Sequence, residues 1–156
     1  MINYFSTMTR IGKITIFEEN GEIIRVALPI SVVSTDGCQC AKTPVIIDAV
    51  KQLTEFLDRQ RKTFNVKLAL KGTTFQKKVW LELLKIPYGK TVSYQDIAVA
   101  VGNPKACRAV GMANNKNPIP IFIPCHRVIG KNGCLTGYAG GLDLKKSLLE
   151  IEQIIQ

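Results

Sequence analysis

The chain has 156 residues, of which 46% are hydrophobic and 21% charged, a composition that supplies one compact domain or two small ones with a real core. Its longest apolar runs, such as AVAV and IPIFIP, fall far short of the roughly 18 residues that a membrane span needs, which excludes a membrane protein. The net charge of +9 is concentrated in residues 66–156, with thirteen Lys/Arg against five Asp/Glu, and this favours a polyanionic partner such as nucleic acid.

The start of the chain and its cysteines predict a cytoplasmic protein. MINYFSTMTR contains no basic leader followed by an apolar stretch. Five cysteines, an odd number without a framework spacing, fit a reducing compartment. Cys38 and Cys40 lack the neighbouring ligands of a zinc site, so we expect no metal. These two, with Cys107 and Cys134, are interpreted as inert core residues.

The first predicted elements are a hairpin, a helix and a strand. IGKITIFEENGEIIRVAL contains two alternating apolar runs joined at Asn20 and Gly21, the pair typical of a type I′ turn. In TPVIIDAVKQLTEFLDRQ, Thr43 is the predicted helix cap and Pro44 the first helical residue. TFNVKLAL then alternates like a half-buried strand. The predicted apolar face of the helix comprises Ile47, Val50, Leu53 and Leu57.

Helix signals follow one another closely after residue 72. Thr73 and Gln76 fit a capping box that opens FQKKVWLELLKI, a unit that ends by Gly89, and a second box at Ser93 and Asp96 opens YQDIAVAV, closed by Gly102. A third helix, KACRAVGMANN, is predicted to use the Asn and Pro of the GNP turn as its cap and first residue.

The last two of these helices resemble a helix-turn-helix, although an ordinary helical hairpin has the same topology. The second helix carries mainly small residues, with Arg108 as its long cationic side chain. A smooth face of this kind permits close approach to a DNA groove, and it equally permits tight helix packing. The small residues are Ala106, Ala109, Gly111 and Ala113.

The segment NPIPIFIPCHRVIGKNG places Cys125 beside His126, the one histidine of the chain. Thiolate is the reactive form of cysteine, and a histidine oriented by a carboxylate is the usual base that generates it. Neighbouring side chains of an extended backbone point apart, so either the chain turns here or a water bridges the pair. Prolines at positions 118, 120 and 124 restrict the backbone around the thiol.

Four motifs occur in order over residues 73–152: FQKKVW, IPYGKTVSYQDIA, VGNPKACRAVG and NKNPIPIFIPCHRVIG, the last followed by LTGYAGGL. Together they resemble the methylated-DNA–protein-cysteine methyltransferases, also called O6-alkylguanine-DNA alkyltransferases. The resemblance implies an α/β fold with a small ribonuclease-H-like sheet domain at residues 1–71. It further implies a helical, winged-helix-like DNA-binding domain at residues 72–156.

The resemblance also implies a single-turnover reaction. Cys125 would attack the alkyl carbon on O6 of guanine and keep it as a thioether. His126 would receive the thiol proton through a water, Glu152 would orient that histidine, and Asn117 would tie together the turns around the site. From the residues alone, Glu152 is a solvated charge on the last helix.

Five further positions match the family's DNA and base contacts. Arg108 would intercalate from the minor groove where the base has flipped out, and Tyr94 would crowd the backbone phosphate. The hydroxyl of Tyr138 and the N–H of Ala139 would face the guanine, whose amine would bind the carbonyls of Cys125 and Val128. Some relatives carry serine at position 139, so this chain lacks one hydroxyl donor there.

The implied partner is double-stranded DNA with an alkylated guanine or thymine, bound by a monomer without any cofactor. A lesion-binding sensor is the alternative, although such proteins replace the reactive cysteine that this chain retains. A thiol hydrolase or redox enzyme would explain the Cys-His pair but not the small-residue helix. A helix-turn-helix regulator would need no activated thiol.

Overall fold

The computed structural model describes residues 1–155, and at Asn132 the backbone alone. The chain divides into two compact units, Met1–Leu70 and Lys71–Gln156.

A four-stranded sheet forms most of the first unit. Its strands are β1 (Ile2–Thr9), β2 (Gly12–Glu19), β3 (Glu22–Ala27) and β4 (Gln39–Cys40), in the order β3-β2-β1-β4. The β2–β3 hairpin is confirmed: Asn20 and Gly21 have φ of 54° and 81°, the left-handed values of its two-residue turn. Strands β1 and β4 were not predicted, and β4 pairs with β1 in parallel.

Helix α1 (Pro44–Leu57) begins with proline at its first turn as predicted, although Thr43 makes no side-chain capping bond. The predicted apolar face is partly wrong, because Ile47 is 54% exposed. The helix is rotated so that the large Phe56 enters the core. Its buried residues are Ile46, Ala49, Gln52, Leu53, Phe56 and Leu57.

The strand predicted in TFNVKLAL is wrong. This segment meets β3 only at an isolated bridge, where the N–H of Ile23 donates to the carbonyl of Lys67 and the N–H of Ala69 donates to that of Ile23, both at 2.9 Å. The N–H of Asn65 donates instead to the side chain of Gln52 at 3.0 Å. The Gln52 side chain thus accepts a hydrogen bond from a backbone N–H that a longer β-ladder would need.

The second unit is mainly helical. Both predicted capping boxes are confirmed, at α2 (Thr74–Leu83) and α3 (Tyr94–Ala100), although α2 ends well before Gly89. The indole of Trp80 in α2 donates to the carbonyl of Ala113 in α4 (Cys107–Asn115) at 2.9 Å, which ties these helices together. The elements are α2 (Thr74–Leu83), β5 (Val92–Ser93), α3 (Tyr94–Ala100), α4 (Cys107–Asn115), β6 (Val128–Ile129) and α5 (Leu142–Ile151), with 3₁₀ turns at Cys125–Arg127 and Lys131–Gly133.

Helix α4 starts later than predicted. Its N-cap is Ala106 without a side-chain capping bond, and the N–H of Ala106 donates to the carbonyl of Asn103 at 3.0 Å. Asn103 and Pro104 therefore form a separate turn between α3 and α4, so the link between the helices is longer than the sequence indicates.

The mixed α/β fold, with an amino-terminal sheet and a helical carboxy-terminal unit, is as predicted. Over residues 1–155, none of the helices combines the length and apolar character of a membrane span. The interpretation of four cysteines as core residues is wrong, since Cys40 and Cys134 are exposed and Cys38 and Cys107 are half-buried.

Candidate active site

The backbone before the thiol is held by Asn117. Its side-chain amide donates to the carbonyl of Ile123 at 2.8 Å, and its side-chain oxygen accepts from the N–H of Ile119 at 2.9 Å. Between these bonds lies Ile121, a β-branched residue with φ of 75°. Such a residue stays in the left-handed region only when its surroundings enforce it. The segment therefore enters the site in one fixed path.

Cys125 opens the 3₁₀ turn Cys125–Arg127, so the chain turns at the Cys-His pair instead of running extended. Its side chain is buried, with 4% of the residue exposed. Burial raises the pKa of the thiol to about 11, against the opposing influence of Asn117, Lys145 and Tyr138, which act to lower it. The thiol is consequently protonated at neutral pH and needs a base to react.

The base candidate, His126, is fully buried against Glu152. Nε2 of the histidine lies 2.6 Å from Oε2 of the glutamate. Arg127 donates from Nε to both carboxylate oxygens, at 2.9 and 3.1 Å, and the N–H of Gly89 donates to Oε1 at 2.9 Å. Gly89 has φ of 79°, a conformation that glycine adopts without strain. The carboxylate is thus held from three sides.

Burial and hydrogen bonding set the charges of this pair. Burial lowers the pKa of His126, although the bond and charge of Glu152 act to raise it. Burial by itself would raise the pKa of Glu152, but its bonds from His126, Arg127 and the Gly89 N–H outweigh this and hold the pKa below its usual value. At neutral pH the site therefore presents a neutral imidazole beside an ionised carboxylate.

Lys145 of α5 is fully buried and joins two parts of the site. Its ammonium donates to the carbonyl of Val128 at 2.7 Å and to that of Thr136 at 2.8 Å. These bonds fasten residues 134–140, which we call the 134–140 loop, to β6. The loop carries Tyr138, whose pKa is raised well above its usual value by burial and by the neighbouring Cys125. Burial lowers the pKa of Lys145 to about 8.

The parallel pairing of β5 with β6 brings α3 to the site, because β5 leads directly into α3 and β6 follows the Cys125–Arg127 turn. Tyr94, the first residue of α3, is half-buried, and its hydroxyl accepts from the Thr136 hydroxyl at 3.1 Å. Arg108 on α4 and Ala139 in the 134–140 loop are exposed. These last two predicted contacts therefore lie at the surface, while Val128 is buried beside Lys145.

Three polar residues of the site were missed in the sequence: Asn114, Arg127 and Lys145. Asn114 is buried and its amide lies 3.4 Å from the carbonyl of Cys125. Arg127 stands in an apolar run, where a charge is expected to be paired. The interpretation of Glu152 as a solvated charge is wrong, since it is 3% exposed.

A helical spacing could have revealed the buried charges of Lys145 in α5 and of Glu152, the residue that directly follows this helix. Lys145 and Glu152 are seven residues apart and share a face with Leu148 and Leu149, which are buried. The charges therefore lie on the inward face of the helix and need partners there. Within residues 1–155, no group of three or more His, Cys, Asp or Glu side chains is arranged to hold a metal ion.

Comparisons with known proteins agree with this geometry. A family model described as "6-O-methylguanine DNA methyltransferase, DNA binding domain" matches residues 74–154. The constitutive methylated-DNA–protein-cysteine methyltransferase of Bacillus subtilis is 48% identical over 160 residues, which cover 98% of this chain and 97% of that protein. A relative of the same name from Methanosarcina acetivorans is 59% identical over 105 residues, 67% of each chain.

Among solved structures, Mycobacterium tuberculosis OGT in complex with DNA is 41% identical, with a TM-score of 0.90. The match covers 97% of this chain and 92% of that one. The fold, the matched family model and a sequence identity of 48% over almost the whole chain lead to one conclusion: this chain belongs to the 6-O-methylguanine DNA methyltransferase family.

Proposed function

We propose that this chain repairs DNA by transferring the alkyl group from O6 of an alkylated guanine, and also from O4 of methylthymine, to Cys125. The observation that carries the proposal is the buried thiol of Cys125 at the start of a turn whose next residue, His126, is bonded to Glu152. The S–C bond forms as the C–O bond breaks, and the thioether product leaves no route back to the free thiol. Each molecule therefore acts once.

The pKa values of Cys125 and His126 call for a proton transfer from the thiol to the imidazole. The Cys125 thiol, with its pKa raised to about 11, holds its proton at neutral pH, whereas the lowered pKa of His126 keeps the imidazole neutral. His126 takes the proton through a water, and the Glu152 carboxylate stabilises the imidazolium that forms. The electron pair of the broken C–O bond stays with O6 of the guanine. The guanine then takes up a proton and is restored to its unmodified form. The reaction needs no cofactor.

The target base has to leave the stack, because a thiol that is 4% exposed cannot reach O6 inside a duplex. We propose that α4 lies in the minor groove and that Arg108 fills the gap left by the flipped base. Tyr94 would crowd the phosphate and promote rotation. Tyr138, the Ala139 N–H and the Cys125 and Val128 carbonyls would hold the guanine, while Asn117 supports the thiol's backbone.

All the proposed catalytic side chains come from one chain, which supports action as a monomer. The reactive state of the thiol also supports a reducing location such as the cytoplasm. A lesion-binding sensor that transfers nothing is the second candidate. The retained Cys125, with a base and an orienting carboxylate beside it, favours transfer over sensing.

The test is mass spectrometry of the intact protein, followed by peptide mapping, after incubation with a duplex that contains one O6-methylguanine. We expect one methyl group per protein, located on Cys125, without turnover. Cys125→Ser should bind the lesion duplex and remain unmodified. Cys134→Ser removes an exposed thiol and serves as the matched control that still accepts the methyl group.

Two results would contradict the proposal in different ways. A methyl group on another cysteine would reassign the acceptor. An unmodified wild-type protein that retains the lesion oligonucleotide would establish the sensor instead.

A further inference from the structure

The outer face of α4 combines cations with one large apolar side chain. Val110, Ala113 and Asn114 are buried on the inner face. The opposite face exposes Arg108 and, one turn later, Met112, which is 58% exposed. Residues four apart on a helix are neighbours, so these two side chains emerge side by side.

The charge around Met112 fits a polyanion. Lys105, Arg108 and Lys116 are all exposed at or next to α4. No aspartate or glutamate occurs anywhere from residue 97 to residue 142. An exposed apolar side chain surrounded by cations, without a carboxylate nearby in sequence, suits a DNA backbone better than a second protein with a hydrophobic surface.

Methionine suits one part of a DNA duplex in particular. Proteins that bind the minor groove insert flexible apolar side chains, including methionine, against or between base steps. Along α4, four residues advance about 6 Å. This distance corresponds to roughly two base-pair steps of the duplex. Ala109, between the two side chains in sequence, is small and leaves room for the groove walls.

We propose that Met112 is a second minor-groove residue, an apolar wedge that packs about two base pairs from the position of Arg108 and helps to hold the duplex open. The inference rests on the proposed function, because it takes duplex DNA, bound with α4 in the minor groove, as the partner. Arg108 fills the gap in the stack, and Met112 grips the adjoining steps through sugar and base edges. Its contribution is therefore specific to double-stranded DNA.

The first experiment is an oxidation footprint on the wild-type chain. The protein contains three methionines, all exposed: Met1 at 76%, Met8 at 74% and Met112 at 58%. Limited hydrogen peroxide, with and without a saturating unmodified duplex, converts exposed methionines to sulfoxides that peptide mapping quantifies. We expect the duplex to slow oxidation of Met112 several-fold relative to Met8, since a contact that excludes solvent also excludes the oxidant.

The second experiment compares repair rates for O6-methylguanine in duplex and in single-stranded DNA. Met112→Ala should lower the duplex-to-single-strand ratio of rates by roughly tenfold, the loss expected when one large apolar contact is removed. Leu81→Ala, at an α2 side chain that is 50% exposed, is the matched control and should leave the ratio unchanged. Met112→Gln, similar in length but polar, should give an intermediate ratio.

Equal oxidation of Met112 in free and DNA-bound protein would overturn the inference, as would an unchanged ratio for Met112→Ala. DNA binding is measured on the same samples by gel shift. If binding is normal, either of these two results leaves the proposed function intact. Absence of any shift with lesion duplex would instead contradict the proposed function itself.

Discussion

Cys125 and His126 are adjacent in sequence, yet burial moves their two pKa values apart. It raises the pKa of the thiol to about 11 and lowers the pKa of the imidazole below its ordinary value of 6.5. Each group is therefore held in its neutral form over a wide pH range. The proton transfer that we propose between them can therefore begin anywhere in that range, with Glu152 placed to stabilise the charged imidazole.

The pH profile of single-turnover transfer follows from these shifts. Between pH 6.5 and about 7 the rate should be flat, because the thiol, the imidazole and the Lys145 ammonium, whose pKa burial lowers to about 8, all remain in their starting forms. Below the lowered pKa of His126, which lies under its ordinary value of 6.5, the rate should fall as the imidazole becomes protonated and can no longer accept a proton. Rapid-quench measurement of methyl transfer from pH 5 to 9 checks this.

His126→Gln separates this route from simple ionisation of the thiol. Without the base, the rate should rise about tenfold per pH unit, following the thiolate fraction below the thiol pKa. A wild-type rate that already rises tenfold per unit from pH 7 would contradict the role assigned to His126.

At the scale of elements, two capping boxes fix where helices of the second unit begin. The hydroxyl of Thr73 accepts from the N–H of Gln76 at 3.1 Å, and the Gln76 side chain accepts from the N–H of Thr73 at 2.9 Å. Ser93 and Asp96 repeat the arrangement at α3. Because Tyr94 follows Ser93 directly, the second box also sets the position of a proposed DNA contact.

Thr73→Ala should lower the free energy of unfolding by about 1 kcal/mol, since the N–H of Gln76 at the start of α2 loses its acceptor, the Thr73 hydroxyl. Urea unfolding followed by the fluorescence of Trp80, the single tryptophan, reports on this unit. Thr74→Ala is the control, because Thr74 is exposed at the first helical position, and its effect should stay within about 0.5 kcal/mol. Equal effects of both substitutions would argue against the box.

At the scale of the whole molecule, the charge distribution governs association with DNA. Nearly all of the excess positive charge belongs to residues 66–156, the part of the chain that contains the proposed DNA-binding residues. Phosphate neutralisation releases counterions, so binding weakens as salt increases.

Affinity for duplex DNA should therefore fall steeply with salt, with the log–log slope decreasing by about one when a phosphate contact is removed. Lys116→Gln, at the exposed carboxy-terminal end of α4, should show this decrease. Lys13→Gln, at an exposed lysine of β2, is the matched control with an unchanged slope. Fluorescence anisotropy over a salt series measures both, and a flat response of the wild-type chain would exclude the basic surface as the contact.

Local signals were sufficient where a structure depends on a few neighbouring residues. The Asn20–Gly21 turn and the two capping boxes were predicted because their hydrogen bonds and backbone angles are set within four residues. Strand propensity was insufficient where a residue distant in the sequence decides which backbone groups are hydrogen-bonded. TFNVKLAL alternates like a strand, but Gln52 takes the N–H of Asn65 and the ladder does not extend.

The sequence by itself determined the presence of the Cys-His pair, the helix starts at Thr73 and Ser93, and the basic second part of the chain. Only the tertiary structure decided which carbonyls, amides and side chains surround Lys145 and Glu152. The physical reason is that a buried charge is tolerated only with its partners. Those partners come from residues as many as 63 positions away, which local pattern cannot reveal.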